Sequence, residues 1–291
     1  KKKGARAFDV AFFNDLYARP LETAVVPLKE MPETHEREVV VKNNTNGSRI
    51  GFDLGASDFK VSALRNGKVV FSKEFPWDPR NQPDPDYHYE KLSAGLEAAA
   101  AALGGRVDAI GGSTAGTLVG KRLGPASLIR AALEKAPEKK DLARGLFARI
   151  EEEWQCPFEV FNDGDVTALA GAIAMKRTGI LGMAMGSSEA VGYINPKGAL
   201  TGRINELAFA PVDLNPNAPK DEWSGDAGVG AMYFSQQAVD HLARLFGFKF
   251  PKSMKLPERL KVVQEAMEKH DEKALRVYLM IGRYLANAAA W

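Results

Sequence analysis

Two short acidic stretches hold the residues best suited to chemistry. The first, GFDLGASDFK, sets Asp53 between Phe52 and Leu54 in an apolar strand pattern and follows it with Gly55, Ala56, Ser57 and Lys60. Small residues after a strand let backbone N–H groups come close to an anion, and Lys60 adds positive charge. Asp53 can hold a magnesium ion through water, or serve as a structural group bonded to the next turn. The first option is phosphate-site chemistry. The second stretch, VFNDGDVTALAG, puts Asn162 and Asp163 where a strand ends and a helix starts. Asp163 can act there as a general base that takes a proton from an alcohol, with Asn162 orienting that alcohol by hydrogen bonds. Asp163 or Asp165 can also cap the helix; with Asp165 as the cap, Asp163 stays available as the base.

Alternating α and β elements must position these groups. Residues 1–47 mix charge with Pro20, Pro27 and Pro32, allow one helix around 8–18 and end in the polar cluster KNNTNGS, so they form an extension and linker. Regular alternation begins at Ile50, and Asn66-Gly67 between KVSAL and KVVFS predicts a hairpin with a two-residue turn. A helix with Leu92, Leu96 and Leu103 on one face follows, then the strand VDAIGGS. A single helix over DLARGLFARIEEEW, with Leu142, Leu146, Phe147, Ile150 and Trp154 inward, leads to the strand FEVF. The pattern then starts over: the helix VTALAGAIAMK, the strand GILGMAM, a turn at SSEA, the strand VGYI and a turn at NPKG. Three helices close the chain. The expected organisation is an N-terminal lobe over 48–165 and a C-terminal lobe over 166–291, with ligands in the cleft between them.

Composition narrows the partners. With 45% apolar and 26% charged residues, the 291-residue chain is ordinarily globular, and a net charge of +2 implies no field for nucleic acid. No stretch reaches the roughly 20 apolar residues of a membrane helix, and the start lacks signal-peptide character, so a cytoplasmic protein without membrane association is expected. The lone Cys156 allows no internal disulfide and suits packing beside the strand that follows. A small-molecule partner fits best.

In order and spacing, DLGASDFK and NDGDVTALAG resemble the hexokinase and ROK branch of the actin-like ATPase superfamily, whose loop D-x-G-G-T-x-x-[RK] precedes an N-D pair by roughly a hundred residues. MGSSEAVGYI falls where that family has its second phosphate loop, with Gly186 and Ser187 matching its opening, and INELAF supplies Glu206 in the place of a sugar-binding glutamate. The resemblance covers residues 50 to about 235. It implies an α/β fold of two ribonuclease H-like lobes, each a mixed sheet flanked by helices, and a kinase that uses ATP and magnesium to phosphorylate a sugar. Carried over, Asp163 is the catalytic base, Asn162 and Glu206 hold sugar hydroxyls, and Asp53 organises magnesium through water. Gly55, Ser57, Lys60, Gly186 and Ser187 line the nucleotide phosphates, and Ser113 and Thr114 lie in a turn that approaches the substrate.

The sequence also departs from that family. Ala56, Ser188, Ala190 and Val191 stand where glycines are usual, Phe209 replaces a histidine, and Tyr233 aligns with a second glutamate, which implies a changed or narrower substrate. The cysteine-rich zinc segment is missing, so no zinc site is expected. The family's strand and glycine-rich adenosine loop lie beyond the last residue here, so the C-terminal lobe is expected to be incomplete. The altered glycines motivate an alternative reading, a sugar-binding or regulatory member of the fold with weak phosphoryl transfer. A DNA-binding repressor would need a helix-turn-helix at the start, and residues 1–47 offer one helix. Helices after residue 236 offer a surface for a homodimer.

Overall fold

The computed structural model describes residues 7–33, 38–40, 44–56 and 58–289. Ser57, expected to line the phosphates, falls outside the described residues. In chain order the elements are α1 (Ala7–Leu16), β1 (Val39–Val40), β2 (Ser48–Leu54), β3 (Phe59–Arg65), β4 (Lys68–Phe75), α2 (Asp86–Ala102) and β5 (Ala109–Thr114). There follow β6 (Leu118–Val119), β7 (Arg122–Leu123), α3 (Arg130–Lys135), α4 (Lys140–Arg144), α5 (Leu146–Trp154), β8 (Phe158–Asn162) and α6 (Asp163–Met175). The chain continues through β9 (Ile180–Met185), β10 (Glu189–Ile194), β11 (Ala199–Leu200), α7 (Gln236–Leu245), α8 (Leu256–Glu268) and α9 (Glu272–Ala289). None of the described helices is long and apolar enough to cross a membrane.

The chain divides into two compact units, one running to Leu181 and taking in Gly192–Ile204, the other comprising Gly182–Val191 and the residues from Asn205 on. The first unit is built on a five-stranded sheet in the order β4-β3-β2-β5-β8. The pairs β2–β3 and β3–β4 are antiparallel, whereas β2–β5 and β5–β8 are parallel. Asn66 and Gly67 both take positive φ, 50° and 79°, which is the backbone that a tight two-residue hairpin turn requires. Inward positions alternate along β2, where Ile50, Phe52 and Leu54 are buried with less buried positions between them. Phe52 stacks on Phe147 of α5 and Phe158 of β8, with ring centroids 6.0 and 5.9 Å away, and joins sheet to helix.

Gly145 divides the segment expected as one helix into α4 and α5, and the correction has a physical cause. Glycine is a poor helix former, and Gly145 closes the last turn of α4 with its N–H on the Asp141 carbonyl at 2.9 Å while its ψ moves to near 7°; Leu142 turns outward at 41% exposure. Leu146, Phe147 and Ile150 keep their inward places. The short hairpin β6–β7 has no counterpart among the predicted elements. Val39 and Val40, in the expected linker, pair antiparallel with Leu200 and Ala199 and extend a second sheet ordered β1-β11-β10-β9. Two β-branched residues suit that edge position. Ala168 of α6 packs with Ile194 and Leu200 beneath it.

In the second unit, α7, α8 and α9 close around Val239, Leu242, Ala243, Val263, Ala274, Val277 and Ile281. These residues recur at helical spacing, so each helix offers one apolar stripe and the three stripes share a core.

Candidate active site

Asp53 lies near the end of β2, between Ser113 on β5 and Lys60 on β3, its direct neighbours in the sheet register. Its carboxyl sits above the usual aspartate range because burial outweighs the hydrogen bond from Ser113; Asp58 pushes it further up and Lys60 pulls it back. The strand alternation therefore does not bury Asp53 with Phe52 and Leu54. It sends the carboxylate to the other face, among polar side chains.

Asp163 opens α6 directly after β8, the strand beside β5. Its carboxyl is pushed up to about 6, first by burial, while the Gly164 N–H, donating at 3.2 Å, pulls it down and the negative charge of Asp53 adds to the rise. Two acids of one unit thus share an electrostatic field. A carboxyl near 6 is largely ionised at neutral pH yet basic enough to accept a proton.

The cap of α6 is Asn162, where Asp163 or Asp165 was expected. Asn162 Oδ1 accepts the Gly164 N–H at 2.8 Å and its Nδ2 donates to the Gly116 carbonyl at 2.9 Å. These two bonds fix the side chain, and its amide also bonds towards the Asp163 carboxyl and helps hold that carboxyl down. Gly192 on β10 explains how α6 is seated: a Cβ there would lie 2.3 Å from the Asp165 Cα and 2.3 Å from the Gly164 carbonyl oxygen. Only glycine lets that strand approach the backbone at the start of α6.

The first loop is closed on itself. The Gly55 N–H donates to the Asp58 carbonyl at 2.9 Å, the Trp77 indole donates to the Gly55 carbonyl at 2.8 Å, and Lys60 Nζ pairs with Asp58 at 2.7 Å. Gly186 is turned in the same way, donating to the Ser188 carbonyl at 2.9 Å, with Ser187 exposed beside it. The expected amide donors at 55 and 186 are therefore spent within their own turns in this conformation. Ser113 is buried and bonded to Asp53, and Thr114 has no accessible surface, its hydroxyl donating to the Ala115 carbonyl at 3.3 Å.

In the second unit Glu206 is half-buried, and Glu189 faces its charge. The Glu189 carboxyl is pushed up to about 7, mainly by burial and secondarily by Glu206. Its Oε2 is buried with no hydrogen-bond partner, and a Cβ added to Gly230 would lie 2.3 Å from it and 2.4 Å from the Leu207 carbonyl oxygen. Sequence reasoning treated Glu189 as part of a turn. The signal was present in the alternation of β10, where Glu189 shares the inward face of Val191. Phe209 packs edge-on against Trp223, and the Tyr233 hydroxyl donates to Asp213 at 2.5 Å, which shows how the two aromatic replacements are accommodated.

A lone carboxylate such as Asp53 is a donor of the kind magnesium can take. Among the described residues no group of three or more metal-ligating side chains converges, and magnesium typically takes one or two carboxylates and keeps several waters. The Asp53–Asp163 repulsion is also what a nearby cation would relieve.

No family model matches the sequence, and no curated protein matches it. Solved structures do. The ROK family glucokinase from Streptomyces griseus, in complex with glucose and AMPPNP, has a TM-score of 0.62 at 19% identity over 84% of this chain and 80% of its own. The ROK hexokinase from Thermus thermophilus has a TM-score of 0.58 at 19% identity over 84% and 76%. A ROK family transcriptional regulator, a homologue of the E. coli Mlc protein, reaches 0.61 at 18% identity over 84% of this chain and 61% of its own. Similarity of this kind establishes the fold, a mixed α/β architecture shared with ROK kinases and a ROK regulator.

Proposed function

We propose that this chain, built on the fold shared by ROK sugar kinases and ROK regulators, transfers a phosphoryl group from ATP to a sugar hydroxyl with Asp163 as general base. The observation that carries the reading is the Asp163 carboxyl, held at the start of α6 and pushed up to about 6 in the field of Asp53. At pH 7 such a group is ionised by roughly ten to one, and a positioned base contributes about 10²–10⁴-fold to a rate. Asn162 positions the base by fixing the first turn of α6 and by its bond towards the Asp163 carboxyl, and its carboxamide is the group it offers to a hydroxyl. Asp53 holds magnesium through water. ATP supplies the phosphoryl group, and magnesium neutralises charge that develops on it. The chemistry needs little covalent help, so the protein's part is placement and a proton acceptor.

A second reading has its own observation. The inward-turned amides of Gly55 and Gly186, with side chains at 188, 190 and 191, favour a sugar-binding regulator with weak transfer. A coupled ADP-release assay over a panel of sugars separates the two. Sugar-dependent turnover that falls at least a hundredfold in Asp163→Asn supports the kinase. Saturable sugar binding without turnover moves the assignment to the regulator, and turnover that survives the substitution removes Asp163 as the base.

A further inference from the structure

The first unit contains an open pocket of about 510 Å³ that shares no lining residue with the site described above, formed where α1 and the turn after it meet β7 and α4. Its size suits a small metabolite. Four of its lining residues are basic, Arg19, Arg122, Lys140 and Arg144, and two are acidic, Asp15 and Asp141.

The charges are unevenly matched. Arg144 is 2% exposed and is held by Asp15, donating from Nη1 to its backbone carbonyl at 3.0 Å and from Nη2 to its carboxylate. That pair consumes Asp15 and fixes the guanidinium, yet Arg144 Nε is left buried without a partner. Arg122 meets Asp141 only loosely, at 3.9 Å, and its Nη1 is likewise buried without a partner. Arg19 and Lys140 form no ion pair with any described residue. Asn14 uses its Oδ1 on the Leu21 N–H and keeps its amide donors. Donors therefore outnumber acceptors around one concavity, and two guanidinium nitrogens lie without an acceptor. Phosphate oxygens answer guanidinium and ammonium groups together.

The wall of the pocket is firmly seated. Leu16 at the end of α1 is 2% exposed and packs against Gly124, where a Cβ would lie 2.3 Å from its Cδ1. The N-terminal helix is thus anchored to the lobe and brings Asn14 and Arg19 to the same place as Arg122 and Lys140.

We propose that this pocket is a binding site for a phosphate-bearing small molecule, held by Arg19, Arg122 and Lys140 with Arg144 as the fixed base of the site. The site is separate from the acids at Asp53 and Asp163 and does not depend on the proposed kinase activity. The test is calorimetric titration of the full chain with two probes, inorganic phosphate and a hexose 6-phosphate, against wild type, Arg122→Gln, Lys140→Gln and Asp163→Asn. Arg144 is left intact because its buried pair with Asp15 is structural. The expected result is saturable binding of at least one probe to wild type, weakened tenfold or more in Arg122→Gln and in Lys140→Gln and retained in Asp163→Asn. A preference for the ester assigns a phosphorylated metabolite, and equal binding assigns phosphate itself as the recognised group. Absence of binding to wild type, binding indifferent to both pocket substitutions, or binding lost in Asp163→Asn overturns the proposal.

Discussion

Replacing Asp163 by asparagine is expected to stabilise the protein at neutral pH while removing the proposed activity. The carboxyl stands at about 6 in the folded chain against 3.8 for an ordinary aspartate. A difference of ~2 in pKa at ~1.4 kcal/mol each is a ceiling of ~3 kcal/mol. Residual solvent contact screens part of this, so a gain of ~1–2 kcal/mol is expected. The sign follows from proton uptake. Below about pH 4 the carboxyl is protonated in both folded and unfolded chains, and the variant has no advantage. Between about pH 4 and 6 the unfolded chain ionises at this position while the folded one resists, so this carboxyl costs wild type stability as pH rises, and the variant is spared that share of the loss. The substituted amide keeps an oxygen for the Gly164 N–H, so the start of α6 is preserved. Urea unfolding of both proteins at about pH 4 and pH 7 gives the comparison. Equal stability at neutral pH, or a less stable variant, would refute the claim that Asp163 is a desolvated acid held against its ordinary ionisation, and with it the reason for choosing it as the base.

Three further outcomes rest on the same geometry. Glu189→Gln is expected to flatten the loss of stability that wild type shows as pH rises from about 4.5 to about 7, since the carboxyl must ionise against burial and the Glu206 charge; parallel thermal melts of the two proteins across that range would contradict this. Gly192→Ala drives a Cβ into the backbone of Gly164 and Asp165 and should cost ~1–3 kcal/mol, read as a lowered melting temperature; an unchanged melt would show that β10 does not pin the start of α6. Trp77→Phe removes the indole bond to the Gly55 carbonyl, worth ~0.5–1.5 kcal/mol, and should speed hydrogen exchange at the Gly55 amide; unchanged exchange would mean the loop is held by the Asp58 carbonyl alone.

Local signals along the chain were enough for the framework. Period-two alternation marked β2 and β3, Asn-Gly marked the hairpin between β3 and β4, and helical spacing of Leu92 and Leu96 marked α2, because these signals come from local backbone geometry and from which face must be dry. Residue order also pointed to the actin-like ATPase fold, through the resemblance carried by Asp53 and by Asn162-Asp163, which the sheet places at the ends of β2 and β8 on either side of β5. What those residues are able to do came from packing. Whether Asn162 or an aspartate caps α6 depends on the Gly116 carbonyl, 46 residues away. The state of Asp163 depends on burial and on Asp53, contributed by another strand, and Glu189 became an unpartnered acid only when Gly230 and Glu206 closed over it. Hydrogen-bond commitment and desolvation are set by neighbours distant along the chain, and so the sequence located the acids while the fold assigned their charge.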